Sequence, residues 1–143
     1  MTRRFQNFIN GRSIPPNSND WIDSVNPATG EVWAQIARSN VVDVRLAVES
    51  AKRASEQHDW RYNSANRSKI LHDIADRLDS EHQKLIEIEI NDNGKRIREV
   101  KAQMSGLGDW YRHFAVALVH MEVEKLNLNL DGVSAYLDLI PYG

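Results

Sequence analysis

The chain has 143 residues and lacks cysteine, which excludes disulfides, thiolate metal sites and a cysteine nucleophile among these residues. Its 18 basic and 20 acidic residues give a formal net charge of -2, so no net field favours nucleic acid or an anionic membrane surface. No run approaches the roughly 20 apolar residues of a membrane-spanning helix, and the N-terminal residues lack the apolar segment of a secretory signal. We therefore expect a cytoplasmic protein with neither nucleic acid nor a membrane as its partner.

Two turn sequences in the first 38 residues predict β-hairpins. Asn10-Gly11 separates short apolar runs and is a strong signal for a two-residue hairpin turn. A second turn, NPATG, occupies residues 26–30, where Pro27 fixes φ and Gly30 permits a positive φ. Alternating apolar residues on both sides of NPATG predict a pair of strands, the first of which begins near Trp21.

The first helix is predicted from a cap and a periodic apolar face. Asn40 can accept hydrogen bonds from the first turn, and Asp43 lies near the positive end of the helix dipole. Apolar residues recur at three- and four-residue intervals, which predicts a narrow buried face, with Asp43 and the basic residues facing solvent. The residues of that predicted face are Val41, Val44, Ala47, Val48, Ala51 and Ala54.

Two further helices are predicted between residues 64 and 94. Ser64 can cap a second helix with an apolar face. The capping-box spacing of Ser80 and Gln83 predicts a break, followed by a third helix from Glu81 to about Asn91. Gly94 is expected to end this helix in the left-handed conformation.

A long apolar pattern from Ile97 predicts a last helix of nearly six turns. The residues of its predicted apolar face are Val100, Met104, Leu107, Tyr111, Phe114, Ala115 and Leu118. Gly106 and Gly108 interrupt the interior of this helix, and each costs about 1 kcal/mol relative to alanine. Glycines at such positions indicate close packing or a kink.

The C-terminal residues predict extended structure. Leucines alternate with asparagines between residues 122 and 131, a pattern that fits either an edge strand or an extended connection. The alternation from Val133 to Ile140 predicts a strand. The expected fold class is therefore α+β, with N-terminal antiparallel hairpins, three to four helices and a C-terminal strand.

Several pairs of side chains have spacings that occur in metal or acid-base sites, but none of these pairs is sufficient to predict such a site. The histidine pairs lack the third ligand of a zinc site, and the carboxylate pairs lie too close on one helix to straddle a substrate. Gly106-Leu107-Gly108 lacks the third glycine of a phosphate loop and lies inside a helical pattern. The pairs are His72 with Asp76, His113 with His120, Glu87 with Glu89, and Asp76 with Asp79.

Four separated motifs occur in the order found in one enzyme family. They are Ile9-Asn10-Gly11-Arg12, the NPATGE sequence at 26–31, Glu89 with Asp92-Asn93-Gly94-Lys95, and Tyr136 with Pro141 and Gly143. The DWYRHFA stretch at 109–115 is similar to an aromatic segment of the same family. Over nearly its whole length, the chain thus resembles the N-terminal region of the NAD(P)-dependent aldehyde dehydrogenases.

The resemblance implies that the chain forms part of the α/β fold of that family and that it is divided into three segments. Residues 1–38 are expected to supply strand hairpins, 40–122 a helical region, and 133–143 a strand of the extension used for oligomerisation. In the family, the cysteine nucleophile, the glutamate base and the nicotinamide-binding loops belong to later sequence. This chain alone is therefore expected to be inactive and to bind no NAD or NADP.

The resemblance also implies partners and one ligand site. The parent enzyme is expected to oxidise a small-molecule aldehyde with NAD or NADP and to be a homo-oligomer, a dimer or tetramer. Family members often hold a monovalent cation beside the NPATGE turn, which corresponds here to backbone or carboxylate oxygens of Ser24, Val25 and Asp92. The alternative is a naturally short, non-catalytic paralogue with an interaction or structural role. The reading frame after the Gly143 codon distinguishes the two.

Overall fold

In the computed structural model, the first hairpin forms a small sheet of its own. The structure describes residues 2–121, 124–126, 131–137, 139 and 142. Strands β2 (Asn7–Ile9) and β3 (Arg12–Ile14) pair antiparallel across Asn10 and Gly11, whose φ angles are 52° and 73°. Two consecutive positive φ angles are typical of a type I′ turn, and the predicted hairpin is confirmed.

A three-stranded sheet contains the second predicted hairpin. Strands β4 (Trp21–Val25) and β5 (Val32–Ala37) pair antiparallel, with a register shift between Ser24 and Val25. Strand β1 (Arg3–Phe5) pairs in parallel with the other edge of β5, which gives the order β1-β5-β4. The hairpin is confirmed, whereas the parallel strand is absent from the sequence prediction, because two arginines in three residues give no strand signal.

Helix α1 (Val41–Ser55) begins at the predicted cap. The Asn40 Oδ1 atom accepts from the backbone N–H groups of Val42 at 2.8 Å and Asp43 at 3.3 Å. In return, the Asn40 N–H donates to the Asp43 carboxylate at 2.9 Å. These reciprocal bonds form a capping box, so the helix start is fixed by two residues that lie three positions apart.

The predicted buried face of α1 is wrong. Val41, Val44 and Val48 are 63%, 54% and 61% exposed, whereas Asp43 is only 3% exposed. Asp43 is buried because its carboxylate also accepts from the backbone N–H of Asn17, at 3.1 and 3.3 Å, which attaches the preceding loop to the helix. The helix therefore packs through its polar N-terminal turn and leaves its valine stripe, Val41, Val44 and Val48, uncovered.

Helix α3 (Ser64–Asn93) follows the short helix α2 (His58–Tyr62) and corrects two predictions. The helix is capped by Asn63 and not by Ser64, because the Asn63 side chain accepts a hydrogen bond from the Asn66 N–H at 2.9 Å. The predicted break at Ser80 is also wrong, since the helix is continuous for 30 residues. Ser80 donates its hydroxyl to the Arg77 carbonyl at 2.9 Å, so this side chain is satisfied inside the helix instead of capping a new one.

The predicted end of α3 is confirmed. Gly94 has a φ of 69°, and its N–H donates to the Ile90 carbonyl at 3.0 Å. Only glycine adopts this left-handed conformation without a steric penalty, so the end of the helix is set by this residue.

The long pattern after Ile97 forms two helices instead of one, α4 (Ile97–Ser105) and α5 (Leu107–Val119), which meet at Gly106. Gly108 lies against α3, where an added Cβ would be 2.5 Å from the Asp79 Oδ1 atom. The kink and the close packing expected at these glycines are thus both present.

Two short C-terminal strands pair antiparallel, β6 (Glu124–Leu126) with β7 (Ala135–Leu137). For residues 122–131, the sequence fits either an edge strand or an extended connection, and the structure has a strand at 124–126. The strand predicted from Val133 is confirmed at 135–137. Residues 122, 123, 127–130, 138 and 140, which those patterns also include, lie outside the described residues, as do Pro141 and Gly143 of the last motif.

The hydrophobic core is small and lies mainly among α3, α4 and α5. Its fully buried apolar residues are Ala34, Ala75, Ile86, Val100 and Ala115. The buried Ser68 hydroxyl donates to the Ala115 carbonyl at 2.7 Å and joins α3 to α5. Among the described residues, no helix is long and apolar enough to cross a membrane.

Candidate functional site

The predicted cation site lies where β4 passes the C-terminal end of α3. The Ser24 hydroxyl donates to the Asp92 Oδ1 atom at 2.6 Å, across 68 positions of sequence. The same hydroxyl oxygen accepts from the Trp33 indole N–H at 2.9 Å, which fixes its orientation. Val25 adjoins Ser24 at the register shift of β4. The structure thus brings Ser24 and Asp92 into contact, with Val25 next to them in the chain.

Two further contacts hold the NPATG turn against the end of α3. The Asn26 side-chain amide donates to the Asn91 Oδ1 atom at 3.0 Å. An added Cβ on Gly94 would lie 2.6 Å from Pro27 Cγ, so the proline ring lies directly on the glycine. We call the unit formed by the NPATG turn and residues 91–94 the turn-helix junction.

An ion pair stabilises the chain as it leaves this junction. Lys95 Nζ lies 2.7 Å from the Glu89 Oε1 atom, and the backbone N–H of Lys95 donates to the Asn93 side chain at 2.9 Å. Hydrogen bonds from Lys95 and then Asn93 lower the pKa of Glu89 below its ordinary value of 4.5. Glu89 and Lys95 both belong to the motif singled out in the sequence, and their roles here are structural.

The junction offers oxygen atoms as ligands. Carboxylate, hydroxyl and backbone oxygens suit a hard cation, and Asp92 is the one ionisable side chain among the three predicted ligands. Within the part of the chain that the structure describes, no group of three or more histidine, aspartate or glutamate side chains converges on a metal position. The oxygen atoms of this arrangement are of the kind that bind a hard cation.

A second polar cluster joins α3 to α5 and was missed by sequence reasoning. Arg112 NH2 lies 2.8 Å from the Asp76 Oδ1 atom and 2.5 Å from the Asp79 Oδ2 atom. Hydrogen bonds to Asp76 and then Asp79 raise the pKa of Arg112 above its ordinary value. The spacing of the two aspartates places them on one face of α3, but no sequence signal identifies an arginine more than 30 positions away as their partner.

The other sequence candidates are not brought into a site. Asp76 binds Arg112 instead of forming a metal pair with His72, and the His113 ring packs edge-on against Phe114, with centroids 5.3 Å apart. Gly106 and Gly108 lie at a helix junction and not after a strand.

Sequence comparisons identify relatives of the chain. Residues 14–143 match the sequence profile of the aldehyde dehydrogenase family. An aldehyde dehydrogenase of Rhodospirillum rubrum is 40% identical over 117 residues, which cover 80% of this chain and 23% of that protein. A (Z)-2-((N-methylformamido)methylene)-5-hydroxybutyrolactone dehydrogenase of Acinetobacter baylyi is 30% identical over 142 residues, covering 99% of this chain and 29% of that protein.

Solved structures agree with the sequence comparisons. An NAD-dependent aldehyde dehydrogenase from Sinorhizobium meliloti matches with a TM-score of 0.84 and 27% identity, over 92% of this chain and 26% of that one. A betaine aldehyde dehydrogenase from Staphylococcus aureus has the same TM-score and 23% identity, over 91% and 26%, and so shows the fold alone. This chain thus spans less than a third of the length of these relatives. Its sequence profile and its fold show that it belongs to the aldehyde dehydrogenase family and corresponds to an N-terminal segment of it.

Proposed function

We propose that this chain supplies the N-terminal part of an oxidoreductase that oxidises an aldehyde to a carboxylic acid with NAD or NADP. The observation that carries the proposal is the 40% identity with the Rhodospirillum rubrum aldehyde dehydrogenase. Similarity to an NAD-dependent aldehyde dehydrogenase supports NAD as the cofactor of the parent. The cytoplasmic location expected from the sequence is part of the same proposal.

The segment itself is proposed to supply packing and oligomerisation surface and not catalysis. In this proposal, residues 1–38 supply the strand hairpins, 40–122 the helical region, and 133–143 an extension that joins subunits into a homo-oligomer. The exposed apolar side chains of Leu126 and Leu137, on β6 and β7, support a role of this ribbon in association.

The residues of this chain do not fit the cofactor. A dinucleotide pyrophosphate is commonly held by a glycine-rich turn between a strand and the N-terminus of a helix. In the described residues, the strand-to-helix connection from β5 to α1 is Arg38-Ser39-Asn40 and contains no glycine. We therefore assign the binding of NAD or NADP, and hydride transfer to it, to the rest of the parent enzyme.

A chimaera tests the proposed function. The segment of the Rhodospirillum rubrum enzyme that matches this chain is replaced by residues 1–143, and NAD-dependent oxidation of a simple aldehyde is measured. We expect the chimaera to retain activity, and the 143 residues alone to show none, because no cysteine is present to attack the aldehyde. A chimaera that folds cooperatively but has no activity contradicts the proposal, as does turnover by the isolated chain.

We also propose that Ser24, Val25 and Asp92 hold a monovalent cation in the parent. The contact between Ser24 and Asp92 supports it, since it places a carboxylate beside the backbone of β4. In the active chimaera, the melting temperature should be higher in potassium or sodium chloride than in tetramethylammonium chloride of equal ionic strength. Asp92→Asn, which keeps an acceptor for Ser24, should remove that difference, and an unchanged difference argues against the site.

A further inference from the structure

The chain contains two Asn-Gly pairs, at residues 10–11 and 93–94, in contrasting surroundings. Asparagine is a chemically labile residue, and a following glycine has no side chain to obstruct attack of its backbone nitrogen on the asparagine carboxamide. Whether the reaction proceeds in a folded protein depends on whether that nitrogen and that carboxamide are free.

Both reacting groups are free at Asn10. This residue is exposed at the tip of the β2-β3 hairpin. Among the residues that the structure describes, no hydrogen bond engages the Asn10 carboxamide or the backbone N–H of Gly11. A Cβ built on Gly11 meets no heavy atom within 4 Å, so the space around the peptide is open.

Both reacting groups are engaged at Asn93. The Gly94 N–H donates to the Ile90 carbonyl at 3.0 Å, and the Asn93 Oδ1 atom accepts from the Lys95 N–H at 2.9 Å. Pro27 also lies against Gly94 in the turn-helix junction. Reaction at Asn93 therefore requires the end of α3 to open first.

We propose that Asn10 is a site of spontaneous deamidation in the folded protein, and that the fold protects Asn93. The Gly11 nitrogen attacks Cγ of Asn10, so an N–Cγ bond forms and the Cγ–Nδ2 bond breaks. The proton lost from the Gly11 nitrogen is balanced by the one gained by the leaving ammonia. Water then opens the cyclic imide at either carbonyl and yields aspartate or isoaspartate, without an oxidant or cofactor.

The reaction alters one face of the molecule. Asn10 and Gly11 line a groove of about 470 Å³ between the hairpin and α1, together with Phe8, Ala47 and Arg53. Aspartate at position 10 adds a negative charge to the groove that Arg53 lines. Isoaspartate also lengthens the backbone of a two-residue turn, which disturbs the pairing of Ile9 with Arg12.

The test compares the two sites within one protein. The folded chain is held at mildly alkaline pH, and peptide mapping by mass spectrometry follows conversion at Asn10 and Asn93. We expect conversion at Asn10 to be about tenfold faster, since Asn93 must first lose two hydrogen bonds. In the chain unfolded by urea, the two sites should convert at similar rates. Asn10→Asp, which tolerates the turn, should abolish ammonia release from this site and leave the Asn93 rate unchanged.

Three results overturn the proposal. Equal rates in the folded chain show that the fold does not discriminate between the sites. Faster conversion at Asn93 shows that the end of α3 is the more open position. A similar preference for Asn10 in urea shows that the neighbouring sequence, and not the hairpin, sets the rate.

Discussion

At the scale of residues, Asp43 explains how a polar loop and an exposed helix are held in place. Its carboxylate accepts three backbone contacts, two from the N–H of Asn17 and one from that of Asn40. The sequence identifies Asp43 as a first-turn acid. It gives no indication of burial, because the partner Asn17 lies 26 positions earlier in an irregular loop.

Replacing Asp43 should be destabilising out of proportion to the change in volume. In Asp43→Asn, an amide nitrogen faces backbone N–H donors, and leaving buried donors unsatisfied costs about 1–3 kcal/mol. Urea unfolding followed by circular dichroism measures the loss. Glu49→Gln, on the exposed side of the same helix, is the matched control and should shift the midpoint little. Equal midpoints for the two variants are inconsistent with this role of Asp43.

Glu89 provides a prediction about pH. Its pKa is lowered in the folded chain by Lys95 and Asn93, so its contribution to stability is present above about pH 4.5 and is lost as the pH falls through the lowered pKa. Glu89→Gln should therefore be less stable than the unmodified chain at neutral pH, and the difference should vanish in acid. The effect should be small, because the ion pair is partly exposed and screened. Thermal melts across this pH range measure it, and a difference that persists or grows in acid contradicts it.

At the scale of elements, the sequence predicts where turns and helices begin and end better than it predicts which face of a helix is buried. The type I′ turn at Asn10-Gly11, the cap at Asn40 and the left-handed end at Gly94 were predictable, because each signal is contained in a few adjacent residues. The Ser80 signal was misleading because the same local spacing also fits a helix interior. The ion pair between Arg77 and Glu81 crosses the predicted break, and Lys84 also pairs with Glu81.

Two glycines in the helical region allow a controlled comparison. Gly94→Ala combines a positive φ with a contact from the rigid Pro27 ring, and should destabilise the chain by roughly 1–2 kcal/mol or more. Gly106 has a negative φ and open space around it, so Gly106→Ala should be neutral or stabilising by up to about 1 kcal/mol. Calorimetric melts of the two variants measure both effects. Equal melting temperatures would show that the turn-helix junction does not constrain Gly94.

At the scale of the whole molecule, large apolar side chains remain uncovered on several elements. The valine stripe of α1 is exposed, and Trp110 and Phe114 of α5 are 66% and 55% exposed. Sequence periodicity identifies the apolar residues that share a helix face. It does not show which of them are buried, because burial depends on contacts with residues far away in the sequence. The predicted cation site has the same limitation: the sequence supplied its residues through resemblance, and only the fold places Ser24 against Asp92.

Association should depend on the β6-β7 ribbon. Leu137 is 48% exposed on a short strand that, among the residues described by the structure, pairs along one edge only. Open strand edges favour pairing between chains. Leu137→Lys should reduce the association of the 143 residues in light scattering without loss of helical circular dichroism. Val48→Lys, a comparably exposed apolar position on α1, is the control for general solubility. A monodisperse monomer of the unmodified chain, or equal effects of the two lysines, contradicts this role of the ribbon.

The parallel pairing of β1 with β5 has a consequence for the order of folding during synthesis. Arg3 pairs with Ala34, so β1 leaves the ribosome before its partner strand β5 and waits until the second hairpin has been made. Hairpins form locally in about 1–10 μs, whereas β1 must wait for synthesis at about 5–20 residues per second. Although β1 is synthesised before β5, it is therefore placed in the sheet only after β5 has formed, and a nascent chain arrested before Val32 leaves β1 without this partner strand.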